Sequence, residues 1–351
     1  MTQLFIVRDA IQRSSQWLQT RGIASPRLDA ELLLAHALGC KRLDLFMYPE
    51  RPLNEEETDA YRALIRRRAE HEPVAYILGT VGFWKHDFKI DARALIPRPE
   101  TEGILEEVLK AAGTQREAPL RIIDVGTGSG VLAISLALEF PNAQVVAADI
   151  SEDALALTDE NATMHGVRDR VHPIRSDLLQ SFMQRGSKAD IIVSNPPYIG
   201  ESERALMSEG VERWEPLQAL FGGEDGFDLI DRLLAQIPQV LAPGGLFVME
   251  FGSPQGDGIR ERAQRQFRRW AVLKDYSDHD RLLRVDGPGE RTWHTPAHRS
   301  EPVEASETDP SEGAFSEEDD RHIDHSLRYG GADGTEKLPE IDLRGDLEDS
   351  D

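Results

Sequence analysis

Short apolar segments typical of β-strands alternate with amphipathic helical segments between residues 121 and 285. The candidate strands are 121–125, 144–149, 171–175, 190–194, 245–251, 271–276 and 281–285. The helical segments around them are 101–112, 129–139, 152–165, 227–241 and 254–269. Such alternation predicts a largely parallel sheet with helices on both faces, and the closeness of the last two strands predicts an antiparallel edge. We therefore expect an α/β fold with a seven-stranded, mostly parallel, doubly wound sheet.

The first 80 residues lack this alternation and follow helical spacing instead, which predicts a small helical bundle. The first helix is predicted to end near Gly22, and the second to begin after Ser25. A third helix is predicted to begin at Asn54 and to end at Pro73. Alternating aromatic and β-branched residues then predict a hairpin. The expected organisation is a helical domain at 1–80, a linking hairpin at 81–95, an α/β domain at 96–285 and a tail at 286–351.

The acidic charge of the chain is concentrated near its C-terminal end. The formal net charge is −23, and residues 286–351 hold 20 of the 63 acidic residues but only 6 of the 40 basic residues. That stretch has few large apolar side chains, so it cannot bury enough surface to offset the entropy of ordering, and we expect it to be disordered. An acidic chain repels phosphate backbones, which argues against direct nucleic-acid binding, although the excess before residue 286 is mild.

Composition also excludes several classes of protein. Cys40 is the only cysteine, which excludes an intramolecular disulfide and a cysteine-based zinc cluster. The histidines show no metal-ligand spacing, so we expect no metal. No segment approaches the roughly 20 apolar residues of a membrane span, and the amphipathic N-terminus lacks the apolar core of a signal peptide. We therefore expect a cytoplasmic protein that is monomeric and binds no membrane.

A glycine-rich turn directly follows the first strand of the α/β region. It consists of Gly126, Thr127, Gly128, Ser129 and Gly130. Glycines allow a tight turn and the close approach of a ligand, and the helix that follows supplies free N–H groups and the positive end of its dipole. The GxGxG spacing differs from the GxGxxG dinucleotide fingerprint, so the turn by itself is weak evidence for a ligand site.

Acidic residues at three strand ends strengthen this interpretation. Asp124 precedes the turn, where it could face a cationic ligand group, and Asp149 ends the next strand, where an acidic residue typically accepts hydrogen bonds from ribose hydroxyls. After the third strand, Asp177 could accept from an exocyclic amine, and Leu178 could supply an apolar wall. Helix capping is the simpler alternative for Asp149 and Asp177. Because the carboxyl ends of parallel strands meet at one edge, these residues predict a nucleotide-like crevice.

The most specific motif of the chain, Asn195-Pro196-Pro197-Tyr198, follows the fourth strand. The two prolines fix φ and keep the preceding carbonyls out of a turn. The Asn195 oxygen and a nearby backbone carbonyl can therefore accept both hydrogens of a substrate –NH₂ group. Tyr198 offers a flat face to a planar amide or ring. These residues predict a site for an amino or amide group.

Together, the DVGTGSG turn, Asp149 and the NPPY motif resemble the S-adenosylmethionine-dependent amino-methyltransferases. The PRPETE segment at 97–102, the Phe83-Trp84 hairpin, the helical domain and the segment 214–220 resemble one family among them, the peptide chain release factor glutamine N5-methyltransferases. The similarity covers about residues 3–285. It implies S-adenosylmethionine as cofactor and methylation of the N5 amide nitrogen of the glutamine in the GGQ motif of release factors, in support of translation termination.

The resemblance also implies roles for single residues. Asn195 and the Pro196 carbonyl accept the two amide hydrogens and hold the nitrogen towards the methyl group, without a general base. Pro197 and Tyr198 complete the catalytic and substrate-binding motif, Arg98 helps to shape the substrate entrance, and the helical domain grips the protein substrate. The implied cofactor-binding residues are Asp124, Gly126, Thr127, Gly128, Ser129, Gly130, Asp149, Asp177, Leu178 and Asn195.

Three other functions stay open. A sister family methylates a glutamine of a ribosomal protein, and NPPY is shared with methyltransferases that act on DNA adenine and rRNA guanine. A non-catalytic binding module is the third, but it would be expected to lose Asn195 or the glycines, and both are present. The PRPETE segment favours the release-factor family over the first two.

Overall fold

A computed structural model of the chain describes residues 5–113 and 119–289. Its helices are α1 (Val7–Thr20), α2 (Pro26–Ala37), α3 (Arg42–Met47), α4 (Glu55–Ala69), α5 (Val74–Leu78), α6 (Glu102–Ala112), α7 (Val131–Glu139), α8 (Glu152–Met164), α9 (Gln180–Gln184), α10 (Glu209–Trp214), α11 (Asp228–Val240) and α12 (Gly256–Gln266). Its strands are β1 (Thr80–Phe83), β2 (His86–Lys89), β3 (Arg121–Val125), β4 (Gln144–Asp149), β5 (Val171–Arg175), β6 (Ala189–Ser194), β7 (Leu241–Glu250), β8 (Trp270–Lys274) and β9 (Asp280–Asp286).

The helical region begins as the sequence predicts. The predicted capping box at the start of α4 is present, because Asn54 Oδ1 accepts from the Glu57 N–H at 2.8 Å and the Glu57 carboxylate accepts from the Asn54 N–H at 3.0 Å. The helices bury a shared apolar core that includes Leu33, Leu34 and Tyr61. Burial of one such side chain stabilises a fold by roughly 1.5–3 kcal/mol, so packing holds these short helices together.

Two helices of this region escape the sequence patterns. Helix α3 has only six residues, too few to display an amphipathic period. Pro73 does not end the third predicted helix: α4 ends at Ala69, and Pro73 is instead the N-cap of α5, where its fixed φ suits a helix start. The predicted cap residue Ser25 makes no side-chain capping bond, and α2 begins with Pro26.

The seven strands β3 to β9 form one sheet with the order β5-β4-β3-β6-β7-β9-β8. Its pairs are parallel except that β9 runs antiparallel to both β7 and β8. The predicted mostly parallel sheet and its antiparallel edge are therefore confirmed. The chain reverses its direction of winding between β3 and β6, and ligands of such sheets bind in the crevice at the carboxyl ends of the strands there.

Both faces of the sheet are covered, as expected for buried parallel strands. Alternate residues of β6 point to opposite faces, so Ile191 and Val193 join a core with α6 and α7, while Ile192 joins a core with α11 and α12. No helix among the described residues has the length and apolar character that crossing a membrane requires.

The ordered α/β region continues past the predicted boundary at residue 285. The Gly287 N–H donates to the Gly245 carbonyl at 2.8 Å, and the Gly244 N–H donates to the Pro288 carbonyl at 2.7 Å. The first residues assigned to the tail therefore pair with the chain that leads into the apolar part of β7. The remainder of that predicted tail, 290–351, lies outside the described residues.

Candidate active site

The glycine-rich turn joins β3 to α7 and needs its glycines. Gly126, Gly128 and Gly130 have φ of +73°, +57° and +84°, the left-handed region that side chains rarely adopt. A Cβ at Gly130 would lie 2.8 Å from Thr158 Cγ2 on α8, closer than atoms can pack. The Thr158 hydroxyl also donates to the Gly128 carbonyl at 2.9 Å. Helix α8 therefore holds the turn in place through contacts that a side chain at position 130 would disrupt.

Asp124 supports this turn from below. Its carboxylate is fully buried, and Oδ2 accepts from the Thr127 hydroxyl at 2.6 Å and from the Ala133 N–H at 3.2 Å in the first turn of α7. Oδ1 has no hydrogen-bond partner among the described residues, and burial raises the pKa of Asp124 to about 7. This placement does not match the expectation that Asp124 faces a ligand, because a side chain without exposed surface contacts only its own protein.

Asp149 lies at the end of β4 as the sequence predicts. One oxygen accepts from the Gly128 N–H at 2.9 Å, and the other accepts from the Ser151 N–H at 3.0 Å. The alternative role of capping α8 falls instead to the Ser151 hydroxyl, which accepts from the Ala154 N–H. Burial raises the pKa of Asp149. Each carboxylate oxygen keeps a further lone pair, so Asp149 can accept from two neighbouring hydroxyls.

The glycine-rich turn lies next to the NPPY motif. A Cβ at Gly126 would lie 3.8 Å from the Asn195 carbonyl oxygen, so the turn and the NPPY motif lie side by side and a larger side chain at 126 would extend between them. Asp149, whose oxygens keep lone pairs for hydroxyl donors, binds the same turn at the Gly128 N–H. The residues present therefore fit a nucleoside-containing cofactor.

The third predicted ligand element is arranged differently from the first two. Asp177 Oδ2 forms an ion pair with Arg232 of α11 at 2.5 Å and accepts from Gln180 at 3.2 Å. Its carboxylate is thus already bound to a cation, which weakens the case for amine recognition. Leu178 has φ of +51° and packs its half-buried side chain against the core beneath β4 and β7.

The NPPY motif follows β6, and its polar side chains join a buried network. Asn195 Nδ2 donates to Thr101 Oγ1 at 3.0 Å, and the Thr101 hydroxyl donates to Glu250 Oε2 at 2.7 Å. The Tyr198 hydroxyl donates to the other oxygen of Glu250 at 3.2 Å. Asn195 Oδ1 accepts no hydrogen bond from the described residues. The network therefore leaves this oxygen available to a ligand.

Burial controls the ionisation of this network. Glu250 is 1% exposed, and burial raises its pKa, against which hydrogen bonds from Thr101 and Tyr198 and the positive charge of Arg281 stabilise the carboxylate. Burial and the neighbouring Glu250 charge raise the pKa of Tyr198 as well, so its phenol stays protonated and donates.

The backbone of the NPPY loop is held by two further segments. Gln255 Nε2 donates to the carbonyls of Tyr198 and Gly226, at 3.1 and 3.2 Å. The Ile199 N–H donates to the Leu220 carbonyl at 3.0 Å. A Cβ at Gly226 would lie only 2.1 Å from the Tyr198 carbonyl oxygen. Close backbone packing thus fixes the position of the loop.

A cleft of about 230 Å³ opens beside the NPPY motif. Its lining comprises Leu95, Arg98, Asn195, Pro196, Pro197, Tyr198, Ile199, Met207, Ser208, Val211, Ala219 and Leu220. The Arg98 guanidinium donates to Glu215 Oε1 at 2.7 Å, and Glu215 Oε2 accepts from the Ile96 N–H at 3.1 Å. Because Glu215 is buried, it holds Arg98 at the wall of the cleft. The cleft is therefore mostly apolar, with Asn195 and Arg98 as its distinctive polar groups.

The sequence brings some of these residues to attention and misses others. Thr101, Glu215, Glu250 and Gln255 were not predicted as site residues, although the first two lie in the segments that carry the family resemblance. Glu250 had a signal of its own: it is a single acid within the apolar run 246–251. An acid in a buried strand needs a polar partner, which marks it as a candidate site residue.

The chain is similar to known proteins in sequence and in structure. Residues 9–79 match the family model of the PrmC N-terminal domain, and residues 103–210 match that of the methyltransferase small domain. In structure, the chain resembles the N-terminal domain of human METTL16 in complex with SAH, with a TM-score of 0.44 and 17% identity, over 72% of this chain and 93% of that one.

Three relatives illustrate the similarity in sequence. The release factor glutamine methyltransferase of Chlorobaculum tepidum is 41% identical over 286 residues, which cover 80% of this chain and 97% of the relative. That of Koribacter versatilis is 43% identical over 269 residues, 77% of this chain and 94% of the relative. That of Bacillus subtilis is 38% identical over 258 residues, 72% of this chain and 89% of the relative. The chain belongs to the release factor glutamine methyltransferase family.

Proposed function

We propose that this chain transfers a methyl group from S-adenosylmethionine to the side-chain N5 nitrogen of the GGQ glutamine of peptide chain release factors. The observation that carries this proposal is the Asn195 amide. Its Nδ2 is bonded to Thr101, which leaves Oδ1 as the acceptor available in a small, mostly apolar cleft. An oxygen acceptor in such a cleft suits a neutral –NH₂ group, as in a glutamine side chain.

The protein makes a poor nucleophile reactive chiefly by positioning it. An amide nitrogen shares its lone pair with the carbonyl, and ordinary bases cannot deprotonate it first. Asn195 Oδ1 and the Pro196 carbonyl accept its two hydrogens and orient the nitrogen, which supplies proximity and charge stabilisation. When bound, S-adenosylmethionine supplies an electrophilic methyl group on a positively charged sulfur.

The proton balance requires no general base. The new C–N bond would form as the S–C bond breaks, and the nitrogen would become acidic once it is methylated, so its extra proton would leave to water afterwards. The lining of the cleft contains no Asp, Glu or His side chain that could remove it earlier. The apolar walls keep water scarce, which favours a step that neutralises the sulfonium charge.

Cofactor binding in this proposal falls to the other half of the crevice. The turn 126–130 would hold the cofactor through backbone atoms, Asp149 would accept from its ribose hydroxyls, and Leu178 would supply an apolar contact for its adenine. Asp177 would have to exchange its ion pair with Arg232 for a contact with the exocyclic amine, so we assign it the smaller contribution. Asp124 acts through the turn that it supports.

The helical domain supports one wall of the cleft. Helix α10, which supplies Val211 to the cleft, rests on the corner between α4 and α5. The Trp214 indole N–H donates to the Glu70 carbonyl at 3.2 Å, and a Cβ at Gly210 would lie 2.9 Å from the His71 carbonyl oxygen. We infer that this wall helps to hold the release factor. We expect the enzyme to act as a cytoplasmic monomer.

Incubation with methyl-labelled S-adenosylmethionine and a panel of acceptors tests the proposal. The panel contains a release factor, the same release factor with its GGQ glutamine changed to alanine, and DNA. It also contains the unmethylated form of the ribosomal protein that the sister family methylates on glutamine. We expect label only in the unaltered release factor. Label in the ribosomal protein or DNA, with none in the release factor, would replace the proposal by one of the alternative functions.

A further inference from the structure

The Asn195 amide has two orientations, related by a half turn, and only one of them serves the reaction. With Oδ1 towards the glutamine nitrogen, the amide accepts an N–H group. With Nδ2 in that place, donor meets donor and the nitrogen is turned away. Whatever decides between the two orientations therefore controls whether the acceptor can bind productively.

The hydrogen-bond chain behind Asn195 runs in a single direction. An ionised Glu250 can only accept hydrogen bonds, so the single proton of the Thr101 hydroxyl is donated to Glu250 Oε2 at 2.7 Å. Thr101 Oγ1 then has only lone pairs for Asn195, and it accepts from Nδ2 at 3.0 Å. The Tyr198 hydroxyl donates to Glu250 Oε1, so that oxygen is occupied by a donor too.

Neither Thr101 nor Glu250 can replace Asn195 as the hydrogen-bond acceptor for the substrate amide. Thr101 is 3% exposed and Glu250 is 1% exposed. Both are absent from the lining of the cleft, to which their partners Asn195 and Tyr198 belong. Any influence on the reaction must therefore pass through the two side chains that they hold.

We propose that Thr101 and Glu250 are positioning residues, which lock the Asn195 amide with Oδ1 directed towards the acceptor nitrogen. This inference rests on the proposed function of the cleft and adds to it the groups that determine the orientation of its central amide. Loss of the Thr101 hydroxyl frees the amide to rotate. Loss of the Glu250 charge allows the direction of the hydrogen bonds to reverse.

Steady-state kinetics of two Thr101 variants test the inference. Thr101→Val keeps the shape of the side chain but removes the hydroxyl, and we expect kcat to fall by about 10–100-fold. We expect Thr101→Ser, which keeps the hydroxyl, to stay within about threefold of wild type. The affinity for S-adenosylmethionine, measured by calorimetry, should be unchanged in both, and KM for the release factor should move less than kcat.

Thr58→Val is the matched control, because Thr58 is a buried threonine of the helical region whose hydroxyl donates to the Asn54 carbonyl at 2.7 Å. It makes the same chemical change far from the cleft and should keep the wild-type kcat. A Thr101→Val enzyme as fast as this control, or a Thr101→Ser enzyme as slow as Thr101→Val, would overturn the inference.

Glu250→Gln decides the matter if Thr101→Val does not fold. Its amide can donate to Thr101, so we expect kcat to fall by about tenfold with cofactor affinity retained. A Glu250→Gln enzyme with wild-type kcat would overturn the inference. Each of these results leaves the proposed function in place, provided that the wild-type enzyme methylates the release factor in the same assay. Failure of the wild-type enzyme to do so would contradict the proposed function itself.

Discussion

The crevice has a cofactor half, formed by the turn 126–130 and Asp149, and an acceptor half, formed by the NPPY motif with Thr101 and Glu250. The hydrogen bonds that hold these halves span different distances along the chain. In the cofactor half, Asp149 and Thr158 bind the Gly128 backbone from 21 and 30 residues away. In the acceptor half, Asn195 binds Thr101 from 94 residues away, and Thr101 binds Glu250 from 149 residues away. The first half is built from two consecutive strand–helix units, whereas the second forms only when distant segments pack together. Substitutions should therefore separate cofactor affinity from turnover.

The largest expected effect is that of Asn195→Ala in the acceptor half. Alanine removes the acceptor oxygen, and loss of one preorganised group of this kind costs about 10²–10³-fold in kcat. The turn and Asp149 are untouched, so the cofactor dissociation constant should stay within about threefold of wild type. Single-turnover kinetics and calorimetry measure the two quantities. A near-normal kcat would remove the role assigned to Asn195.

Asp149→Ala should produce the opposite pattern. It removes the proposed acceptor of the ribose hydroxyls and a partner of the Gly128 N–H, so cofactor affinity should fall by about 10–100-fold. The KM for the release factor at saturating cofactor should hardly change. Asp177→Ala is the matched control, and because Asp177 is paired with Arg232 it should weaken cofactor binding much less. Unchanged affinity in Asp149→Ala would exclude the ribose assignment.

Two glycine substitutions separate the stability cost of close backbone packing in the acceptor half from the intrinsic cost of a left-handed residue. Gly166 has φ of +68° and open space around its Cβ position, so Gly166→Ala should cost about 1–2 kcal/mol of unfolding free energy. Gly226→Ala meets the Tyr198 carbonyl oxygen, so it should cost about 1–3 kcal/mol more and also lower kcat. Denaturant unfolding of both variants measures the difference, and equal costs would contradict the role of the close contact.

A further prediction concerns stability as a function of pH in the cofactor half. Burial raises the pKa of Asp124 to about 7, whereas an aspartate in an unfolded chain titrates near 3.9. The folded state therefore holds the proton over a wider range, and the stability that this group contributes is lost as pH rises from about 4 to about 7. Asp124→Asn cannot titrate, so the unfolding free energy of wild type minus that of the variant should decrease over this window. A difference that does not change with pH would contradict the raised pKa.

The contrast between the halves also explains how far the sequence could be interpreted. Apolar runs and the alternation of segments predict strands β3 to β9. The glycine turn and the NPPY motif can be recognised because their residues are adjacent in the chain. Glu250 and Thr101 lie far apart in sequence, and neither has a pattern that names its partner. Their pairing depends on β7 lying beside β6 and on the start of α6 reaching the same edge of the sheet, which is a property of the assembled fold.

Local context misled the prediction for Asp124 for a related reason. Its position before the glycines is typical of a ligand contact, but the buried carboxylate instead accepts from the Ala133 N–H at the start of α7. Helix N-termini attract carboxylates whether or not a ligand is present. The sequence places Asp124 at the strand end, but the packing of α7 decides which way its side chain points.

Tandem mass spectrometry of a release factor, incubated with this enzyme and S-adenosylmethionine, tests the proposed activity most directly. We expect one added methyl group, on the GGQ glutamine, after incubation with the wild-type enzyme. Asn195→Ala at the same concentration should leave that glutamine almost unmodified. A methyl group on a different residue, or equal methylation of the glutamine by Asn195→Ala, would contradict the account of the acceptor half.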